Sequence, residues 1–450
     1  MSKERILELR RYKDIVAFRS GVEAPTAFHA KNLEVAEISE ELWNHLVPSN
    51  LRSSLPIEIG NSTENNEVLQ AAEEWLKEEN PEVKSGAVEF GIRNLTINVT
   101  QICNLHCTYC AAGGDGTYGD PVKKISIEKT LPQVKFFMEK LTEGQSFHIS
   151  FLGGEPLLYP EAIQMIGEYA MEIGREKNIP VSFKVTTNGT IINEKVLAAL
   201  KLIKCNIVIS IDGPAEINDR VRPQKNKQPI TGKITEGLQI LLKNKEQLGS
   251  IGLHGVFDQN NMEIEKAYEF YLSLGVDWFE FTYAVNEHND QLNQEYMKKM
   301  SLIANKAWNL GQEKELRKIS NFNQNFKLLD AQQRVENHCG SGKSLLIVDA
   351  RNRLYSCPWT VGQASEQMGD GTQLDMSKFA ALKESLVEKN NCGTCWARFL
   401  CGGGCMFIHH GKTGNKHTKD PEFCERTRFL VSLSIMYYKR SREASQNNEV

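Results

Sequence analysis

Apolar strand-like segments alternate with amphipathic helical segments over the middle of the chain. The strand-like segments are rich in apolar residues, and several are nearly continuous apolar runs: 94–99, 147–152, 181–186, 206–211, 251–257 and 278–284. Helical periodicity occupies the intervals between them, at 126–141, 161–177, 194–203, 235–245 and 263–274. This alternation predicts a parallel sheet with right-handed crossovers, and the continuous runs predict strands buried on both faces. Because six such units are fewer than the eight of a closed barrel, we expect an α/β fold with a partial (β/α)6 TIM-type barrel over residues 91–315.

Residues 1–90 have a different pattern, with shorter elements. Segments 14–18 and 27–35 are strand-like, and segments 39–46 and 65–78 have helical periodicity. The apolar residues of the second helix fall on one face: Val68, Ala71, Ala72, Trp75 and Leu76. We therefore expect a small α/β domain here, and it carries no catalytic motif.

The remainder of the chain divides into three segments by composition. Residues 316–338 are polar with helical periodicity, and we expect a helical linker. Residues 339–430 are rich in cysteine and glycine and form a separate predicted domain. Residues 431–450 are predicted to hold a C-terminal helix that ends in a disordered polar tail from Ser441 onward.

Charge and hydropathy exclude several classes of function. Lys plus Arg number 53 and Asp plus Glu 57, so the net charge is −4 and gives no general attraction to nucleic acid or to an anionic membrane. No apolar run approaches the ~20 residues of a membrane helix, and the N-terminus lacks the apolar core of a signal peptide. We therefore expect a cytoplasmic protein with neither a nucleic acid nor a membrane as its partner.

Cysteine is the residue type whose distribution is most informative. Of the 11 cysteines, three lie within 103–110, seven lie from 339 onward, and only Cys205 stands apart. In a reducing compartment, clustered cysteines are more often metal ligands or catalysts than disulfides. The sequence therefore has two candidate metal-binding regions, whereas Cys205 precedes a buried strand and is predicted to be a core thiol.

Cys103, Cys107 and Cys110 form a C-x3-C-x2-C motif directly after the first barrel strand. Ligands of α/β sheets bind at this end of the strands. Three thiolates cannot saturate a cluster of four irons, so one iron would be open to another ligand. Tyr109, the residue before Cys110, is placed to contact a flat ligand ring. The alternative is a zinc site with His106 as the fourth ligand, but the position of His106 inside the loop is unusual for zinc.

This motif resembles the signature of the radical S-adenosylmethionine (SAM) superfamily, C-x3-C-x-aromatic-C, and the resemblance extends over about residues 91–310. It implies a [4Fe-4S] cluster whose open iron binds the amino and carboxylate groups of SAM. It also implies reductive cleavage of SAM to a 5′-deoxyadenosyl radical, so that the cofactor supplies the difficult chemistry.

Three further motifs fall where the superfamily places SAM contacts. They follow the second, third and fourth barrel strands: Gly153, Gly154 and Glu155; Thr187 and Asn188; Ser210 and Asp212. Each motif alone is typical of a turn, but together they follow successive strands and the cysteine triplet. The resemblance implies that the first motif meets the SAM ammonium and that the others lie near the ribose and methionine moieties. Arg222 is the candidate for the SAM carboxylate.

The second cysteine region resembles the SPASM domain of peptide-modifying radical SAM enzymes, which carries two auxiliary [4Fe-4S] clusters. The resemblance assigns one cluster to Cys392, Cys395, Cys401 and Cys424, and the other to Cys339, Cys357 and Cys405. Two fully ligated clusters need eight cysteines, and this region has seven, because residues 340–344 lack the additional cysteine of relatives. We therefore predict that the second of these clusters has an open iron at which a substrate thiolate can bind.

Residues 1–90 resemble the RiPP recognition element, a winged-helix-like domain that binds leader peptides, although no residue signature marks it. The alternative is a structural cap on the barrel. The three domains together resemble maturases of Cys-rich SCIFF-class peptides, which form thioether crosslinks in sactipeptides and ranthipeptides. The resemblance implies three clusters, SAM, a Cys-rich precursor peptide and a one-electron reductant such as flavodoxin or ferredoxin.

Two other functions remain open. One is that of an anaerobic sulfatase-maturing enzyme, which forms formylglycine, although its first auxiliary cluster is expected to be complete. The other is a ferredoxin-like electron carrier, which would need neither the Gly-Gly-Glu-Pro motif nor the N-terminal domain. The sequence assigns no general base, and it does not identify the carbon that is crosslinked.

Overall fold

The computed structural model describes residues 7–20, 24–53, 67–86, 91–111 and 121–448, with side chains to residue 444. The chain forms two compact units, each built from separated segments. Unit 1 consists of Met1–Ala87, His288–His338 and Glu384–Val450, and unit 2 consists of Val88–Glu287 and Cys339–Lys383. No helix in the described part of the chain is long and apolar enough to cross a membrane.

The strands of the described residues are numbered in chain order: β1 Leu7–Tyr12, β2 Ile15–Ser20, β3 Thr26–His29, β4 Glu34–Glu37, β5 Val47–Ser49, β6 Asn94–Thr100, β7 Phe147–Gly153, β8 Val181–Thr187, β9 Asn206–Ser210, β10 Ile251–Phe257, β11 Trp278–Tyr283, β12 Leu345–Val348, β13 Arg353–Tyr355, β14 Gln367–Asp370 and β15 Gln373–Leu374. The helices are α1 Glu40–His45, α2 Glu67–Lys77, α3 Ile127–Met138, α4 Pro160–Glu176, α5 Glu194–Leu202, α6 Ala215–Val221, α7 Thr231–Lys243, α8 Ile264–Leu274, α9 Asp290–Leu316, α10 Ser320–Asp330, α11 Met376–Ala380, α12 Leu386–Lys389, α13 Arg398–Cys401, α14 Met406–Thr413 and α15 Pro421–Asn448.

Unit 1 contains an antiparallel sheet of order β4-β3-β2-β1-β5. One face packs on α1 and α2 through Tyr12, Trp43 and Ala72. The other face packs on the C-terminal segment, where the Phe18 and Trp396 rings lie 5.3 Å apart in an edge-to-face arrangement. The N-terminal strands and the cysteine-rich C-terminal segment therefore share one hydrophobic core.

Two sequence expectations for unit 1 were wrong. Residues 27–35, expected as one strand, form the hairpin of β3 and β4, with Leu33 at a φ of 56° in its turn. The tail from Ser441, expected to be disordered, continues α15 to Asn448. Arg442 explains this continuation, because its guanidinium forms ion pairs with Glu313 and Asp330 of the preceding helices.

Unit 2 confirms the predicted barrel strands. The strands β6 to β11 pair in parallel in sequential order, and the sheet is open rather than closed. The apolar positions of one face are buried against helices, as Ile97, Phe151 and Phe183 illustrate. Five of the six helices α3 to α8 match the predicted intervals, whereas the short helix α6 was not predicted from the sequence.

The expectation of strands buried on both faces is confirmed for β6 and β9, whereas β7, β8 and β11 are fully buried on one face only and carry partly exposed, mainly polar side chains on the other. Paired positions place Ser150 beside Lys184 and His254 beside Glu280, and these side chains are all half-buried. His254 also contacts the Thr282 hydroxyl at 2.9 Å. A concave polar face with the cysteine loop at its carboxyl edge is therefore the space available for a polar ligand.

The predicted cysteine-rich domain does not form one compact unit. The strand β12 pairs in parallel with β6, so the sheet of unit 2 continues through β12 to β15. Residues 339–383 consequently belong to unit 2, and the rest of the segment belongs to unit 1. The pairing of β12 with the barrel strand β6 explains why residues 339–383 belong to unit 2. The change in composition at residue 339 does not show this pairing.

Candidate functional site

The loop that carries Cys103, Cys107 and Cys110 follows β6 at the carboxyl edge of the parallel sheet. Its backbone is held by the segment after α6, since the His106 amide donates to the Pro223 carbonyl at 2.9 Å. Within the loop, the Leu105 amide donates to the Cys103 sulfur at 3.4 Å. The three predicted ligands therefore lie on one anchored loop, with Cys103 and Cys107 half-buried and Cys110 exposed.

Gly153 and Gly154 end β7 against this loop. Gly153 has a φ of 139°, a conformation that side-chain-bearing residues rarely adopt. A Cβ atom on Gly154 would overlap the Ile102 carbonyl and lie 2.6 Å from the Cys103 amide nitrogen. Glycine is therefore needed at residue 154 because the backbone before Cys103 passes directly over it.

Gly154→Ala is expected to displace the cysteine loop and to destabilise unit 2 by about 1–3 kcal/mol, the usual cost of overpacking. Thermal unfolding of the purified protein and its bound iron would measure both effects. Gly232→Ala is the matched control, because a Cβ atom at Gly232 in α7 would meet open space. Equal melting temperatures and iron contents for the two variants would contradict the steric argument.

Glu155 is a buried carboxylate that connects the ends of β7 and β8. One oxygen accepts the Leu157 amide at 3.0 Å and the Thr187 hydroxyl at 2.6 Å, and the other accepts the Asn188 amide at 2.8 Å. Burial raises the pKa of Glu155, whereas these donors oppose the rise. The carboxylate thereby holds the Thr187–Asn188 turn against the loop after β7.

Asn188 continues this network to the cysteine loop. Its side-chain amide donates to the Asn104 side-chain oxygen at 2.8 Å and lies 3.7 Å from the Cys103 sulfur. The Asn104 amide donates in turn to the Thr190 hydroxyl at 2.8 Å. The predicted positions Glu155, Thr187 and Asn188 are thus brought together with Cys103 in one hydrogen-bonded group.

A second polar group lies on the other side of the loop. The Tyr109 hydroxyl donates to the Asp212 carboxylate, and Arg222 donates to the Tyr109 oxygen at 2.6 Å. Burial raises the pKa of Asp212 and, more strongly, that of Tyr109. Burial alone would lower the pKa of Arg222, but Cys107, Tyr109 and Asp212 together raise it, so the guanidinium stays charged. Ser210, also predicted as a contact, lies at the end of β9 on the polar face.

The residues of this edge fit SAM and a [4Fe-4S] cluster. The donor set offers three thiols and leaves one of the four irons open to another ligand. The Arg222 Nε atom is buried and has no hydrogen-bond partner within the described ranges. The same is true of both side-chain polar atoms of Asn98 in β6. Buried polar groups are ordinarily hydrogen-bonded, so these atoms indicate a polar ligand beside Cys107 and the barrel face.

Four other thiols line a small cavity in unit 1. They are the residues that the sequence assigned to one auxiliary cluster: Cys392, Cys395, Cys401 and Cys424. Burial raises the pKa of Cys424 to about 12, with further contributions from the neighbouring thiols. Gly403 and Gly404 also line this cavity, and both have positive φ, which allows the chain to curve around it.

Three further cysteines are those that the resemblance assigns to the second auxiliary cluster. Cys339 and Cys357 are in unit 2, whereas Cys405 precedes α14 in unit 1. Cys205 is fully buried and accords with its prediction as a core thiol. Over the described residues, no three His, Cys, Asp or Glu side chains are arranged to hold a single metal ion.

Several residues of these sites were not found from the sequence. Asn98, Asn104 and Thr190 have no motif that marks them in the sequence, and the hydrogen bond between Asn104 and Thr190 joins residues that are far apart in the chain. The Asn-Gly-Thr turn at 188–190 was the available signal for Thr190. Arg11, which is fully buried on β1, gave no signal because an arginine in a strand is typically exposed.

Comparisons with known proteins agree with the geometry of unit 2. Residues 97–271 match the family model of the Radical SAM superfamily, so the chain contains a radical SAM domain. Domains of this family bind SAM and a [4Fe-4S] cluster. The structure of native anSMEcpe with bound AdoMet aligns with a TM-score of 0.62 at 18% identity, covering 79% of this chain and all of that chain. The predicted radical SAM α/β fold with an open barrel is therefore confirmed.

The curated relatives include maturases. A cysteine-type anaerobic sulfatase-maturating enzyme of Clostridium novyi is 28% identical over 197 residues, which cover 42% of this chain and 50% of that enzyme. The mycofactocin maturase MftC of Mycobacterium ulcerans is 24% identical over 321 residues, which cover 69% of this chain and 82% of that protein.

Proposed function

We propose that this protein is a radical SAM peptide maturase that installs thioether crosslinks between cysteine and carbon in a Cys-rich precursor peptide. The observation that carries the proposal is the combination of two thiol sites. One is the loop of Cys103, Cys107 and Cys110 at the barrel edge, and the other is the four-thiol cavity of unit 1. The kinship with maturases supports a peptide or protein as the substrate.

The barrel edge provides the residues for SAM. When bound, SAM and the cluster supply a 5′-deoxyadenosyl radical that removes a hydrogen atom from the peptide. Arg222 is charged, with Nε available for a carboxylate, and Glu155 fixes the turn that carries Asn188. The half-buried polar face carries the charged Lys184 and the imidazole of His254, which can form hydrogen bonds with peptide backbone and side chains. We assign no general base.

The thiol sites outside the barrel suit two auxiliary [4Fe-4S] clusters. The cavity cysteines provide a complete set of four ligands. The resemblance assigns Cys339, Cys357 and Cys405 to the second cluster, and three thiolates would leave its fourth iron open to a peptide thiolate. Formation of the C–S bond releases one hydrogen atom to the radical, one proton, and one electron that the auxiliary clusters carry to an external acceptor.

The N-terminal sheet is suited to hold a leader peptide by strand addition. In the described part of unit 1, β4 and β5 are the sheet edges. Pro48 removes a backbone donor from the three-residue strand β5, whereas β4 keeps its amides and is half-exposed. We therefore propose β4 as the docking edge, in a domain that acts as the RiPP recognition element.

Formylglycine formation is the second candidate, favoured by the similarity to sulfatase-maturating enzymes. The two functions differ in the fate of the sulfur atom. A thioether keeps the sulfur in the peptide and blocks its alkylation, whereas formylglycine from cysteine loses the sulfur and reacts with hydrazides.

Anaerobic incubation with SAM, dithionite and the Cys-rich peptide encoded beside the gene tests the proposal. We expect 5′-deoxyadenosine together with a peptide that has lost two hydrogen atoms per crosslink and resists iodoacetamide at one cysteine. Tandem mass spectrometry would locate the bond. A hydrazide-reactive product would favour the second candidate, and purified protein without iron and sulfide would overturn both.

A further inference from the structure

Positive charge surrounds the four-thiol cavity of unit 1. Arg398, Lys419 and Arg428 line it together with the cysteines, and no Asp or Glu is among the described residues that line it. Arg398 and Arg428 are each only 4% exposed. A buried guanidinium group is costly to desolvate; Arg398 is paired with Asp14, so it is the position of Arg428 beside the thiols that points to a negatively charged occupant.

The N-terminal sheet contributes another cation to this region. Arg11 on β1 is fully buried and donates to the Thr394 carbonyl at 3.1 Å. Thr394 lies between Cys392 and Cys395 in the chain. Burial lowers the pKa of Arg11, whereas Cys395 is the strongest of the neighbours that oppose this effect. An arginine remains protonated in proteins, so a full positive charge lies next to the Cys395 thiol.

Arg428 brings a second charge to the same sulfur. It lies on α15, one helical turn after the cavity residue Cys424. Burial alone would lower the pKa of Arg428, but Coulombic attraction and a side-chain hydrogen bond from Cys395, with Cys424 and Cys401, raise it. The guanidinium also donates to the Leu51 carbonyl, which fixes its position.

Charge and hydrogen bonds to sulfur set the potential of an iron–sulfur cluster. A cluster held by four thiolates is anionic, and reduction adds one more negative charge. Nearby buried cations stabilise the reduced state more than the oxidised state. We propose that Arg11 and Arg428 raise the reduction potential of the cluster held at this cavity, so that the N-terminal domain helps to make it an electron acceptor. The inference rests on the cluster of the proposed function.

Arg398 is paired with a carboxylate, that of Asp14, whose negative charge also acts on Arg11. The Arg398 guanidinium forms an ion pair with Asp14 at 2.7 Å, and Lys31 lies 3.4 Å from the same carboxylate. Removing the Asp14 charge would leave the positive charge of Arg398 uncompensated. Asp14→Asn is therefore expected to shift the potential in the direction opposite to that of the arginine variants.

Redox titration of the anaerobically purified full-length protein, followed by EPR, tests the inference. Arg11→Gln and Arg428→Gln are each expected to shift one couple to a more negative potential and to leave the other couples unchanged. Arg11→Lys keeps the charge and should retain most of the wild-type potential. Arg10→Gln is the matched control, because Arg10 is the neighbouring residue of β1 and its guanidinium bonds to the Trp43 carbonyl instead.

The outcomes separate the inference from the proposed function. Absence of any auxiliary cluster by iron and sulfide analysis would defeat both. Intact clusters whose couples move no more in Arg11→Gln and Arg428→Gln than in Arg10→Gln would overturn the inference alone. If the arginine variants do not fold, Asp14→Asn decides, since Asp14 lies in a partly exposed turn. A positive shift supports the inference and an unchanged potential overturns it.

Discussion

Cys103→Ala is expected to abolish 5′-deoxyadenosine formation from SAM in the presence of dithionite. Cys103 is one of the three thiols of the barrel loop, and its sulfur accepts hydrogen bonds from Leu105 and Asn188. With two thiolates, the cluster cannot be held and SAM has no iron to bind. Iron content should fall by about four per chain, because only the barrel cluster is lost. Chromatography of the nucleoside and colorimetric iron analysis would measure these effects.

Cys205→Ala provides the control for this experiment. Cys205 has the same side chain but is fully buried, and its thiol lies against the backbone of the next residue, Asn206. Its replacement is expected to cost about 1 kcal/mol of stability, as a small core truncation does, and to leave iron content and SAM cleavage unchanged. Retained SAM cleavage in Cys103→Ala would refute the assignment of the barrel cluster.

Glu155→Gln is expected to destabilise unit 2 by about 1–3 kcal/mol, because one buried donor loses its acceptor. A carboxylate can accept from Leu157, Thr187 and Asn188 at once, whereas the amide group of glutamine must point toward at least one backbone N–H. SAM cleavage should fall by at least about tenfold, since the Asn188 turn moves away from Cys103. Calorimetry without SAM and nucleoside analysis with SAM would separate the two effects.

The exposed Glu161→Gln variant is the matched control for that measurement. Glu161 forms an ion pair with Lys195 at the surface of α4. Exposed pairs contribute about 0–1 kcal/mol, so a small change is expected here. If Glu155→Gln melted at the temperature of Glu161→Gln, the buried carboxylate would not have the structural role described above.

The sequence predicted the barrel well because its apolar runs are long and regular. The strands β6 to β11 match the predicted segments within one residue at their ends. The strand β1 was missed because Arg10 and Arg11 interrupt its apolar pattern, although both side chains are at least half-buried. The helix α6 is short, and its segment gave no periodic signal. Elements stabilised by long-range ion pairs, such as the end of α15, cannot be recognised from local composition.

The sequence could predict those parts of the candidate site whose residues lie close together in the chain, as in the cysteine motif. The sequence predicted a site from the cysteine triplet and the residues that follow the strands, and the structure places Glu155, Asn188 and Cys103 in one hydrogen-bonded group. The cationic surroundings of the four-thiol cavity were not predictable. Arg11 and Cys395 are separated by most of the chain, and only the shared core of the two termini places them side by side.

That shared core has a consequence for biosynthesis. The apolar face of the N-terminal sheet, with Phe18 and Phe28, is covered by residues near position 400 and by α15. During translation this face stays uncovered until the residues near position 400 and α15 have emerged from the ribosome, and contacts between such distant segments form slowly. The cavity lined by Cys392, Cys395, Cys401 and Cys424 is built from the same late-synthesised residues, so it forms only when the N-terminal strands become covered.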